Sequence, residues 1–229
     1  PPLALQYADY GTWQRQWLVQ GEAQRQRSYW MLQLGNEHPV LSLATDHPRA
    51  SYKQRSAARH SVNVEAALSD AVRQAAQAHD ATPFMWLLAA FQTVLYRYTG
   101  QRDIRVGVPS ANRPRQETHA MMGFFINTLV LRAELDGRLS FAELVRQTRQ
   151  TTLDAQSHQD LPFEQLLEAF PQAREHGLFQ VMFNHQQRDL SALRRLPGLI
   201  ADELPWHSRE AKFDLQLHSE EDRQGRLTL

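Results

Sequence analysis

Residues 103–132, DIRVGVPSANRPRQETHAMMGFFINTLVLR, constrain the fold more than any other stretch of the chain. Two apolar, β-prone runs, residues 104–109 and 124–131, bracket a polar loop that holds Asn112, Arg113, Pro114 and Arg115. Val106 and Val108 alternate with small or polar neighbours, the pattern of a strand with one buried face. The second run is apolar almost throughout, the pattern of a strand covered on both faces. Asn127 interrupts it. An unpaired buried amide costs about 1–3 kcal/mol, so Asn127 either bonds neighbouring backbone or lines a cavity.

The rest of the chain reads as alternating helices and strands. Residues 7–34 form a helical region with Tyr10, Trp13 and Trp17 on one face, weakened midway by Gly21. Aromatics at that spacing are read as core. Residues 38–59, with two prolines, are an irregular connection, and residues 59–64 alternate as a strand. Residues 65–79 are an amphipathic helix with Leu68, Val72, Ala75 and Ala76 on one side. Thr82-Pro83 opens, and Gly100 stops, a helix over residues 84–98 that is apolar almost all round and therefore buried.

Ser140-x-x-Glu143 is a capping box for a helix running to about Ser157. Asp160, followed by Pro162, is expected to cap a short helix over residues 163–169. Residues 178–186 form a strand. Residues 190–204 are loop-rich, with a turn at Pro197-Gly198. Phe213, Leu215 and Leu217 alternate as a half-buried strand, with residues 226–229 its neighbour across a turn at Gly225. This is an α/β or α+β layered order, without internal repeats.

Composition removes several function classes. The chain has 229 residues, 42% of them hydrophobic, which suffices for a full core. Twenty-five basic against 25 acidic side chains argue against nucleic acid or an anionic membrane as main partner. No apolar run approaches the ~20 residues of a membrane span. With no cysteine there is no disulfide, thiolate nucleophile or Cys-based zinc site, which fits a reducing compartment. The start, PPLALQYADY, has no signal-peptide pattern and no initiator Met, so the expectation is a chain that begins inside a longer polypeptide. A glycine-rich phosphate loop, a His-Glu-x-x-His metal pattern and a Gly-x-Ser-x-Gly elbow are all missing, and Ser110 lacks the flanking glycines of a nucleophile turn.

Ordered motifs carry a resemblance. GVPSANR and GFFINT within residues 107–128 resemble the signature of condensation domains from nonribosomal peptide synthetases. YADYGTWQR (residues 7–15), HQDLPFEQLLE (158–168), LFQVMFNHQ (178–186) and AKFDLQL (211–217) resemble further motifs of that family, in order and at fitting distances. The resemblance implies one lobe of a two-lobed chloramphenicol-acetyltransferase-like fold: an α/β mixed sheet flanked by helices. It divides the chain into an inter-lobe helix and linker, residues 1–55, and a C-terminal lobe, residues 56–229, truncated at both ends.

The implied activity is amide formation. The amine of a downstream carrier-bound aminoacyl thioester attacks an upstream carrier-bound thioester, with phosphopantetheine arms on peptidyl carrier proteins and an adenylation domain adjacent in a cytoplasmic synthetase. The family's His-His-x-x-x-Asp-Gly motif does not occur here, for no two of the ten histidines are adjacent. No catalytic residue and no metal ligand is therefore assigned to this chain, and residues 1–229 alone are expected to be inactive. The implied channel residues are Asn127, Asn184, His158 and Trp13, the last at the lobe junction. Arg113 either fixes its loop by bonding carbonyls or meets a carrier phosphate. Lys212 and Asp214 are expected to pair across the sheet. His176-Gly177 stands where the family has Asn-Pro, which loosens that turn. The alternatives are a non-catalytic carrier-docking module of the same fold, or an epimerisation or dual epimerisation–condensation domain.

Overall fold

The computed structural model describes residues 5–46, 56–189, 197–200 and 210–229. The expected loop over residues 190–204 and part of the 38–59 connection lie outside the described residues, although Pro197-Gly198 does form a turn. Helix α1 (Tyr7–Trp17) passes through a π-turn at Leu18–Glu22 into α2 (Ala23–Leu34). Gly21 sits in that turn at φ 111°, so the predicted weak point is a real kink. Then follow α3 (Ala66–Ala78), α4 (Pro83–Thr99), β1 (Asp103–Ser110), β2 (Asn127–Glu134), α5 (Phe141–Gln156), α6 (Phe163–Glu168), β3 (Val181–Gln187), β4 (Leu215–Glu221) and β5 (Leu227–Thr228).

The helix ends obey local chemistry. The Thr82 hydroxyl accepts from Met85 N–H at 3.3 Å, Pro83 opens α4, and Gly100 N–H closes it on Tyr96 O at 2.8 Å. At α5 the Ser140 hydroxyl and the Glu143 carboxylate bond each other's backbone N–H, as the capping box requires.

The five strands form one mixed sheet in the order β2-β1-β3-β4-β5. β1 and β2 pair antiparallel from Asp103↔Glu134 to Ser110↔Asn127, and β3 pairs parallel with β4 over its whole length. Between β1 and β3 the parallel ladder holds only at Val106↔Val181 and Gly107↔Met182. Just past that break lies Pro109, which has no N–H to donate. The expected strand over residues 59–64 is an extended segment with an isolated bridge, Asn63↔Thr228, and Val62 exchanges backbone hydrogen bonds with Leu229.

Several expectations change. β1 is buried on both faces, from Ile104 to Val108. Ile104, Val106 and Val108 join the core with Leu88, Leu95, Leu144 and Val145. The small and polar residues between them are covered too. Gly107 seats the Phe179 ring, which a methyl group there would overlap. Arg105 bonds Asp103 at 2.8 and 3.0 Å and the carbonyls of Leu34 and Glu37 at 2.9 and 2.6 Å, tying the end of α2 to the sheet. β2 starts at Asn127 rather than Phe124, leaving Phe124 and Ile126 75% and 55% exposed.

No residue of α1 is fully buried: Tyr10, Trp13 and Trp17 are half-buried and form a row of ring contacts outside the core. The core aromatic of this region is Trp30, which shares one core with Leu34, Leu41 and the sheet. Leu68 on α3 stays exposed, and on β4 the buried positions are Ser219 and Glu221 while Leu215 is 42% exposed. Gly177 adopts φ 73°, a conformation closed to the proline it replaces, so the turn is differently shaped rather than a looser copy.

The largest correction concerns residues 158–163. The N-cap of α6 is Pro162, and Asp160 does not cap it. The Phe163 N–H is instead taken by Asn127 Oδ1 at 3.0 Å. Asn127 Nδ2 donates to Gln159 O at 2.7 Å and Leu161 O at 2.8 Å, and its Oδ1 also accepts from Thr128 N–H. From the other side Gln26 Oε1 takes the Leu161 N–H at 2.8 Å and Trp30 Nε1 donates to His158 O at 3.0 Å.

Two outcomes test this packing. Gly107→Ala should lower stability by about 1–3 kcal/mol through the clash with Phe179, read as a shifted denaturant midpoint. Asn127→Ala should cost on the order of 3 kcal/mol by stranding buried backbone groups. Asn127→Asp should fail to restore it, because a carboxylate cannot donate to the Gln159 and Leu161 carbonyls. An Asp variant as stable as the parent would refute this account of Asn127.

Candidate functional site

Where β1 and β3 part company a cleft of about 390 Å³ opens at the carboxyl ends of both strands, the position where open α/β sheets bind ligands. Val108 and Leu129 are among its apolar lining residues, and its polar lining includes Ser110, Asn112, Arg113, Gln156, Gln159, Asn184 and His185. A second cleft of about 260 Å³ lies between α1, the residues leading into β2, and the 160–164 segment; Tyr7, Tyr10, Phe125 and Asp160 line it. Asn112 borders both.

The residues singled out from sequence fall into different settings. Asn184 lines the first cleft from β3, half-buried. Asn127 lines the second, but both ends of its carboxamide are engaged by backbone. Trp13 stands beside that cleft in the surface row, 5.3 Å from Trp17 between ring centroids, with the Arg115 guanidinium 4.1 Å from its own. His158 lines neither cleft. Its ring stacks on Tyr29 at 3.9 Å, and Arg25 Nη1 lies 2.8 Å from Nε2. A guanidinium only donates, so Nε2 accepts and Nδ1 donates to Asp154 O at 2.7 Å.

Arg113 fixes its loop. It donates to the carbonyls of Thr118, Met121 and Gly123, with its guanidinium 4.0 Å from the centre of the Phe125 ring. Lys212 is exposed, and Asp214 N–H bonds Gln180 O. The Ser110 hydroxyl lies 2.5 Å from Gln159 Oε1, an amide that cannot take its proton.

Two further residues, Asn112 and His185, have settings that no local pattern marks, and Asp160 has a setting other than the cap expected of it. Asn112 is 5% exposed and holds φ 48°, in the left-handed region that asparagine tolerates better than most side chains. Its backbone N–H meets Ser110 Oγ at 3.3 Å, while its Oδ1 is shielded from solvent without a donor. A stranded buried acceptor costs about 1–3 kcal/mol. The only advance signal is its place after a strand in Ala-Asn-Arg.

His185 lies 2.8 Å from Ser219 Oγ through Nδ1 and 3.8 Å from Glu221 through Nε2. Burial holds its imidazole below the ordinary value, with Glu221 opposing, so it faces the cleft uncharged at neutral pH. The Asp160 carboxyl is raised by burial, against the hydrogen bond that Gln26 Nε2 donates from 3.4 Å.

The raised acid has a sign that can be checked. A folded-state value above the unfolded one favours the fold below the ordinary aspartate range, and that contribution is lost as pH rises through the folded value. Asp160→Asn should therefore be more stable than the parent at pH 7, with the difference closing toward pH 3 in thermal melts. A difference that widens on acidification would contradict the assignment.

Comparison with known proteins places this geometry in a family. The model of the condensation domain matches residues 1–229. Malpibaldin synthetase of Mortierella alpina is 43% identical over 227 residues, covering 97% of this chain and 4% of that protein. Surfactin synthase subunit 1 of Bacillus subtilis (strain 168) is 36% identical over 228 residues, 98% of this chain and 6% of the other. Among solved structures, the condensation domain of the Monacolin K polyketide synthase MokA superposes with a TM-score of 0.80 at 26% identity, over 97% of this chain and 54% of that one. The X-domain from teicoplanin biosynthesis gives a TM-score of 0.81 at 23% identity, a likeness of fold alone. The chain thus spans about half the length of these solved domains and 4–6% of the two synthetases. By motif order, sheet topology and family match, this chain belongs to the condensation-domain family.

Proposed function

We propose that this chain is the C-terminal half of a condensation domain that joins two carrier-bound substrates by an amide bond in a nonribosomal peptide synthetase. The amine of the downstream aminoacyl thioester attacks the upstream acyl carbonyl; the tetrahedral adduct collapses, and the upstream carrier thiol leaves with a proton. Residues 7–34 and the linker after them lead into the lobe that follows, as the resemblance implied. The observation that carries the reading is the cleft where β1 and β3 diverge, lined by carboxamides, Ser110 and Arg113, most of them inside the motifs that resemble the family's. Such a wall orients substrates and leaves proton handling elsewhere. The His-His-x-x-x-Asp-Gly histidine belongs to an N-terminal lobe that faces this one.

Upstream and downstream peptidyl carrier proteins present the substrates on phosphopantetheine arms, with an adenylation domain adjacent, in the cytoplasm. Among the described residues no helix is long and apolar enough to cross a membrane. Within the first cleft Asn184 is the channel residue from β3; Asn127 lines the second, and Trp13 packs against its lining residue Tyr10. Arg113 supports the first wall by holding its own loop, and His158 fixes the end of α5 against α2 rather than lining a cleft.

Co-expression of residues 1–229 with an N-terminal lobe of the family, followed by an assay for amide product between two loaded carriers, tests the reading. Product is expected only when both halves are present. Product from residues 1–229 alone would overturn the division of labour. Carrier binding without product from the joined halves would favour a docking module.

A further inference from the structure

Away from both clefts, the chain leaving α2 is fastened to β1 through a histidine that fits there only without charge. α2 ends at Gly35, whose φ of 65° turns the backbone out of the helix. Three residues on, His38 Nδ1 lies 2.7 Å from Arg105 Nη1. A guanidinium only donates, so Nδ1 accepts and the ring proton sits on Nε2, which is buried without a hydrogen-bond partner. On its other side the ring meets Phe170 edge to face, with 4.8 Å between centroids. Arg105 Nη2 brackets the turn by donating to Leu34 O and Glu37 O. The residues that follow are held differently. Val40 O accepts from the Gln101 carboxamide, and the N–H groups of Leu41 and Ser42 donate to those of Gln180 and Gln101. Carboxamides do not titrate.

A proton on Nδ1 would set an N–H and a positive charge against the guanidinium at that same distance. Among the described residues no carboxylate stands ready to offset it. Asp103, the acid that acts on the ring, is already bonded to Arg105 and Arg132. Glu37 is exposed, and Phe170 carries no charge. Burial and then Arg105 hold the imidazole below its ordinary value, with Asp103 opposing. We propose that the Arg105–His38 contact is an acid-released clasp: one proton taken up at Nδ1 breaks it and lets residues 35–39 swing away from the sheet, while Leu34 and Leu41 stay in the core. That segment lies in the linker proposed between the two lobes, so its release slackens that connection. The clasp itself stands apart from the reaction the domain performs.

The sign of the effect is fixed. A folded-state value below the ordinary one favours the clasped form above that ordinary value, and the advantage is lost as pH falls toward the folded one. The test is limited digestion of the intact protein that carries this chain, by an endoprotease that cuts after glutamate, with cuts mapped by mass spectrometry. Rates are referred to an unstructured peptide of the same residues, which removes the protease's own pH dependence. Cleavage after Glu37 should rise by up to about tenfold for each pH unit below the ordinary histidine value of about 6.5, because opening takes up one proton. The rise should level off once His38 is protonated in the folded state. His38→Asn places a carboxamide oxygen where Nδ1 stands and cannot titrate, so its cleavage should stay flat over the same range.

An NMR titration of the His38 ring in the parent needs no variant to fold. Its midpoint should lie below that of the peptide and coincide with the pH at which the rise levels off. A parent rate that ignores pH, or an Asn variant that rises in step with the parent, would overturn the proposal. So would a ring midpoint at or above the peptide's, or cuts appearing throughout the chain at the same pH.

Discussion

The bend at residues 158–163 between α5 and α6 is the constraint on which the rest depends. A chain reversal inside a packed domain leaves backbone N–H and C=O groups without helical or sheet partners, and each must be matched. Here side chains from distant elements match them. Arg25 reaches Ser157 O, Trp30 reaches His158 O, and Asn127 reaches Gln159 O and Leu161 O and accepts from Phe163 N–H. Gln26, with no exposed surface, accepts from Leu161 N–H. The bend thereby fastens α2 to β2, and it sets Gln159 beside the first cleft and Asp160 beside the second.

A second fastening lies at the other end of the sheet. Arg105 and Arg132 stand directly opposite across β1 and β2, a like-charge pair that would repel alone. Asp103 accepts from both, at 2.8 and 3.0 Å, and Arg105 also donates to Leu34 O at the end of α2, to Glu37 O just beyond it, and to His38 Nδ1. Removing one partner from such a buried set leaves an uncompensated charge, which costs far more than the intact pairing contributes. Most motif residues are thus framework: Gly107 and Gly123 seat the Phe179 and Tyr7 rings, Arg113 closes its loop, and Asn127 holds the bend. The groups that face the clefts are fewer, among them Asn112, Asn184 and His185.

Much of the fold was legible because local chemistry dictates it. Thr82-Pro83, Gly100 and Ser140-x-x-Glu143 bounded two helices within a residue or so, since caps act over one turn. In sequence Arg105 and Gly107 look like solvent-side residues, which predicts a one-faced strand for β1. Only the arrival of α2 and Phe179 covers them. Phe124 and Ile126 have strand chemistry but lie beyond the pairing that ends at Ser110↔Asn127, so β2 starts later than its sequence predicts. Asp160 looked like a cap by sequence distance, yet Asn127, from another strand, holds the N–H it was expected to hold.

Sequence alone determined the element order, the helix ends and, through ordered motifs, the family, because periodicity, capping and motif wording are properties of neighbouring residues. Tertiary structure alone decided which polar residues are framework and which face a cleft. Asn127, Asn112 and Asn184 are the same side chain, two of them in apolar strand runs and one in a polar loop. One is spent on backbone groups from more than thirty residues away, one holds an unmatched Oδ1 between two clefts, and one looks into the gap where β1 and β3 diverge. That difference arises from long-range partners, which no local pattern encodes.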